Sequence, residues 1–120
     1  MNILDDTPDF ILEVRFYRSS NENEPVREWL KSLRREDKKV IGEDIKTMQY
    51  GWPIGMPVVR KLGTGIWEVR SRITDGIARV LFTVDGDLMI LLHGFIKKSQ
   101  KTPKEDLNLA LKRMKEVKRG

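Results

Sequence analysis

The sequence predicts an α+β fold, a small antiparallel β-sheet with two N-terminal helices packed on one face and a C-terminal helix. Three observations predict it. Two Asp-Gly turns, "TDG" and "VDGD", separate strand-like runs and signal hairpins. Apolar residues between 26 and 48 recur at helical spacing, and Thr102-Pro103 opens a further helical pattern near the end of the sequence. At 120 residues without repeats or a linker, the expectation is one domain, 1–120.

The elements follow in order. "FILEVRFY" (10–17) alternates Phe10, Leu12, Val14 and Phe16 against Ile11, Glu13, Arg15 and Tyr17, the pattern of a strand. "SSNENEP" is a polar loop whose Pro25 suits the first turn of a helix, and Val26, Trp29, Leu30 and Leu33 then share one helical face. A second helix covers 36–49 with Val40, Ile41, Ile45 and Met48 inward, weakened at Gly42 by about 1 kcal/mol relative to alanine. "YGWPIGMP" (50–57) is loop. Strand-like runs follow at 58–62, 66–73 and 77–84, and "LMILLHGFI" (88–96) has the composition of a strand buried on both faces. Thr102, Pro103 and Glu105 form a capping box, and Leu107, Ala110, Leu111 and Met114 lie on one face of the helix that it starts. The sum is a sheet with helices covering one face.

Composition bounds the function. A hydrophobic fraction of 39%, with three Trp and four Phe, argues against disorder. With no cysteine, disulfides, thiolate zinc sites and cysteine nucleophiles are excluded. No apolar run approaches membrane-spanning length and "MNILDDTPDF" lacks a signal-peptide pattern, so the expectation is a soluble cytoplasmic protein. Residues 97–120 carry 9 basic and 3 acidic groups, while residues 1–56 carry 9 and 11. The basic excess at one end suits a polyanion or an acidic protein as partner, or a solvated helix end.

Three arginines stand out in "IWEVRSRITDGIARV". Alternation puts Trp67, Val69 and Ile73 on one side of their strand and Glu68, Arg70 and Arg72 on the other; on the next strand Arg79 stands opposite Ala78, Val80, Phe82 and Val84. Arg70 and Arg79 then fall together on the uncovered face and need a counter-charge. Glu68 or Asp75 serves, and a phosphate serves equally, because a guanidinium fork matches phosphate oxygens. The lone His93 supplies an acid–base group near neutral pH, and Trp52, in its loop, is free to stack on a base.

"RKLGTGIWEVRSR", "GIARVLF" and "LLHGFIKKSQKTPKEDLNLALKRM" together resemble the RelE/ParE superfamily of bacterial toxins, in particular its phage-related HigB-like branch, over residues 13 to 117. The ordered elements are K-L-x-x-G-x-W-E-x-R, R-V, and L-H-x-F-x-K-K with T-P opening the last helix. The resemblance implies a RelE-like fold and a toxin of a type II toxin–antitoxin module, a metal-independent mRNA interferase acting at the 70S ribosome. Its implied partners are mRNA and a cognate antitoxin, of helix-turn-helix type, with no cofactor and no membrane. Arg70, Arg79, Lys97 and Lys61 fall at the positions of its basic motif residues, with His93 near them as a further catalytic candidate; Lys98, Lys101, Arg72 and Trp52 are the candidates for RNA contact. Lys61, Lys97 and His93 all stand as candidate bases, and which of Lys97 and Lys98 faces the site stays open. Two other readings stand beside it, a ParE-type inhibitor of DNA gyrase and a non-catalytic nucleic-acid-binding domain.

Overall fold

The computed structural model describes residues 11–52 and 59–119. Phe10, Val58, the loop at 53–57 with Met56, and the decapeptide read for a targeting signal lie outside the described residues. In chain order the elements are β1 (Glu13–Phe16), α1 (Pro25–Ser32), α2 (Arg35–Gly51), β2 (Val59–Gly63), β3 (Ile66–Ile73), β4 (Gly76–Asp85), β5 (Leu88–Lys97) and α3 (Lys104–Arg119). The five strands described form one sheet in the order β1-β5-β4-β3-β2. No helix among the described residues is long and apolar enough to cross a membrane.

Strands β2 to β5 make an antiparallel meander with tight turns. Ile73 pairs with Gly76 around Thr74-Asp75, and Asp85 pairs with Leu88 around Gly86-Asp87, where Gly86 has φ +61°. A side chain at that φ is strained, which is why the Asp-Gly signal works. The all-antiparallel expectation needs one correction: β1 lies parallel to β5, with Glu13 beside Leu88 and Phe16 beside Leu91. The hairpin signals spoke only for consecutive strands. The chain crosses the sheet through α1 and α2, starts its meander at the far edge, and returns to β1 in the same direction.

Helices α1 and α2 bury Val26, Ile41, Ile45 and Met48, with Trp29, Leu30 and Leu33 beside them, on Val69, Ala78, Val80, Phe82, Met89 and Leu91. The second face is not bare. There α3 packs Leu107, Ala110, Leu111 and Met114 on Ile66, Leu81, Ile90, Leu92 and Phe95, so the expectation of helices on one face is corrected. The reason is visible in β4 and β5, where consecutive residues are apolar on both parities, and a strand apolar on both faces needs two covers.

Two local features position the site. In β5, His93 pairs with Leu81 but Leu91 pairs with Phe82, so Leu92 is an inserted bulge residue. The bulge reverses the alternation: Met89 and Leu91 face α1 and α2, whereas Phe95 faces α3. The freed Leu92 carbonyl accepts from Arg113 Nη1 at 2.8 Å. Secondly, Thr102 does not cap α3. Its hydroxyl donates to Glu68 Oε2 at 2.6 Å, and the Pro103 carbonyl accepts the first helical bond, from the Leu107 amide.

Candidate functional site

Strands β3 and β4 place Arg70 directly opposite Arg79, on the face toward α3. The two meet as their alternation predicts, but under cover rather than in the open. Glu68 and Arg79 are both 0% exposed. Glu68 supplies the counter-charge: Arg70 Nε donates to its Oε1 at 2.6 Å, while Thr102 holds Oε2. Asp75 is engaged elsewhere, with Arg34 Nη2 at 2.7 Å.

The lid over this cluster is residues 98–103, the connection from β5 to α3 without helix or strand. Arg79 Nη2 donates to the Ser99 carbonyl, and Arg70 Nη2 to the Gln100 carbonyl. Arg70 Nη1 reaches Gln100 Oε1 at 3.2 Å. Arg79 Nε and Nη1 are buried with no hydrogen-bond partner among the described residues. The Arg79 guanidinium lies 5.8 Å from the centre of the Phe95 ring. Burial pushes its pKa below the ordinary arginine value; Glu68 and Asp106 oppose that and Arg70 and Arg60 add to it. An arginine nonetheless stays charged at neutral pH.

The bulge brings His93 to the same side. Its ring stacks on Phe95 with centroids 5.4 Å apart and planes at 26°. Its Nε2 lies 2.7 Å from Asp106 Oδ1, on the first turn of α3. A row therefore runs from Asp106 through His93 and Phe95 to Arg79.

The other expected site residues divide. Lys97 and Arg72 both pair with Ile77, which puts them on the Arg79 face one same-face row along, and both are exposed. Lys98 and Lys101 are exposed on the lid. Lys61 falls on the wrong side: it pairs with Trp67, on the α1–α2 face, so the register separates it from Arg70 and Arg79. Its neighbour Arg60 pairs with Glu68 and occupies the place that Lys61 was expected to fill. Pairing β2 with β3 would have found Arg60, but the register shifts between Lys61 and Gly63, which hides the parity from simple counting. Trp52 is not a free loop residue either. It ends α2 and packs edge-on against Trp67 at 4.7 Å and Phe82 at 6.0 Å, in the core. Sequence reasoning also missed Asp106 and Thr102 as site residues, since both were accounted for as parts of a helix start.

Chemically, the cluster offers two facing guanidinium cations, one buried carboxylate that orients Arg70, and an imidazole held by a second carboxylate. Among the described residues no group of three or more His, Cys, Asp or Glu gathers to hold a metal ion. The family described as phage-derived protein Gp49-like (DUF891) matches residues 28–115, a span that contains every residue of this cluster. No curated protein matches the chain.

Proposed function

The chain belongs to the Gp49-like family of phage-derived proteins, associated with the toxins of toxin–antitoxin systems, and from that premise we propose that it is a HigB-like toxin of the RelE/ParE superfamily. In this reading it is a metal-independent endoribonuclease that cuts mRNA on the 70S ribosome, stops translation, and is neutralised by a cognate antitoxin. The observation that carries it is the Arg70–Arg79 pair, with Arg79 Nε and Nη1 left without a partner among the described residues. Buried guanidinium donors without acceptors are costly, and a site retains them where an anion is to be bound.

RNA brings its own nucleophile. The 2′-oxygen attacks the adjacent phosphorus, the bond to the 5′-oxygen breaks, and a 2′,3′-cyclic phosphate and a 5′-hydroxyl result. Arg70 and Arg79 hold the non-bridging oxygens as charge builds on them, which is preorganised electrostatic stabilisation. His93 takes the 2′-hydroxyl proton. With its Nε2–H donated to Asp106, the Nδ1 lone pair is the basic atom. Lys97 and Arg72, exposed on the same face, track the neighbouring phosphates, and Lys98 and Lys101 add charge at the rim. A proton returns to the leaving 5′-oxygen from solvent or from Lys97. Lys61 and Trp52 take no part in this scheme.

The test is in-vitro translation with purified protein, mapping 5′ ends by primer extension, with naked mRNA as the control. New ends confined to translated message are expected, and Arg70→Ala and Arg79→Ala should each lower their yield by about 10²–10³-fold. Undiminished cleavage by both variants would sink the assignment. Intact message with unaffected translation would transfer the case to gyrase inhibition, read in a supercoiling assay.

A further inference from the structure

The arginines proposed to hold the phosphate are covered. Main-chain carbonyls of Ser99 and Gln100 sit on Arg79 Nη2 and Arg70 Nη2, and the Thr102 hydroxyl fastens the same segment to Glu68. Carbonyl oxygens on guanidinium N–H groups occupy the positions that phosphate oxygens take in a bound complex. The segment is otherwise loosely held. Lys98, Ser99, Gln100 and Lys101 are all exposed, and neither helix nor strand hydrogen bonds secure it.

Resting on the phosphate reading above, we propose that residues 98–102 form a displaceable strap, whose carbonyls act as stand-ins for the phosphodiester, so that strap closure and RNA binding exclude each other. The closed form keeps Arg79 at 0% exposure and the site shut. An RNA backbone entering the site takes over the donors of Arg70 and Arg79, the Thr102 bond to Glu68 breaks, and the strap swings out between Lys97, at the end of β5, and Pro103, whose carbonyl starts α3. Glu68 has a further part here, because it holds Arg70 from one oxygen and the strap from the other. A closed majority lowers the apparent affinity by the fraction that is open, so loosening the strap raises it.

The probe is a 2′-O-methyl RNA oligonucleotide, which the protein cannot cleave, with binding read by fluorescence anisotropy at low salt and without ribosomes. Thr102→Val removes the hydroxyl bond to a buried charge and should tighten binding about tenfold. Gln100→Ala, an exposed change that leaves folding intact, should tighten it by a smaller factor. Adding Arg79→Met to either variant should abolish the gain. The absence of cysteine permits a direct readout: a spin-label pair at Lys101→Cys and Lys39→Cys should show a changed distance when the oligonucleotide is added. Unchanged affinity in both loosened variants, an unmoved label distance with oligonucleotide bound, or no binding by any form would each overturn the strap. Its failure is separable from that of the nuclease reading. Tightened binding without cleavage on ribosomes leaves the strap and removes the nuclease; cleavage dependent on Arg70 and Arg79 with an immobile strap does the reverse.

Discussion

Arg79 is a residue whose place in the fold works against stability. It is fully buried, two of its nitrogens have no partner among the described residues, and its one hydrogen bond goes to a neutral carbonyl, with the charges of Glu68 and Asp106 nearby. Taking away one partner of a buried ion pair normally destabilises, but Glu68 makes its hydrogen bonds to Arg70 and Thr102 and keeps both when Arg79 is replaced by an apolar side chain of similar length. Arg79→Met should therefore leave the urea midpoint close to that of the native chain, while message cleavage is lost. A large loss of stability with retained cleavage would show that the residue serves the fold alone. The sequence made the Arg70–Arg79 encounter legible, because strand parity and a short hairpin suffice to bring them together. It could not show that both lie beneath residues 98–102, since that contact joins positions 20 and 30 residues apart.

At the scale of elements, β5 decides most. One inserted residue, Leu92, turns Phe95 toward α3 and leaves Gly94 facing α1. A methyl group at Gly94 would collide with the six-membered ring of Trp29. Gly94→Ala should thus destabilise the protein by about 1–3 kcal/mol, measured by thermal or urea unfolding, because a rigid indole has to move. Unchanged stability would mean that α1 slides freely on the sheet. The helices and the hairpins were readable from period and turn chemistry, down to β3 at 66–73 and the inward residues of α1. The bulge was not, since period-2 counting carries straight through it and would have sent His93 to the opposite face. The Thr102 capping box was misread for a related reason. Its hydroxyl donates to a buried carboxylate, a charge-assisted bond stronger than one accepted from an open amide at a helix end.

At the scale of the whole molecule, α3 ties the end of the sheet to its first strand. Tyr17, which follows β1, donates its hydroxyl to Glu116, and Arg113 lies over its ring at 5.1 Å. The bond to Glu116 raises the phenol pKa above its ordinary value, burial and the glutamate charge add to this, and Arg113 opposes it. The fold thus favours the protonated phenol. Its contribution to stability is complete below about pH 10, the unfolded value, and is lost as pH climbs through the folded one. Urea midpoints should fall above about pH 10 more steeply for the native chain than for Tyr17→Phe; parallel curves would show that this contact does not couple to folding. The sequence by itself determined the α+β class, the hairpins, the apolar faces and the meeting of two arginines, because periodicity and turn chemistry are local and survive in one dimension. Only the tertiary structure decided that α3 covers the second face, that β1 runs parallel to β5, that Arg60 rather than Lys61 stands with Glu68, and that a loop closes over Arg79. Each of these depends on which distant residues compete for the same buried donor, acceptor or face, and that competition exists only once the chain has packed.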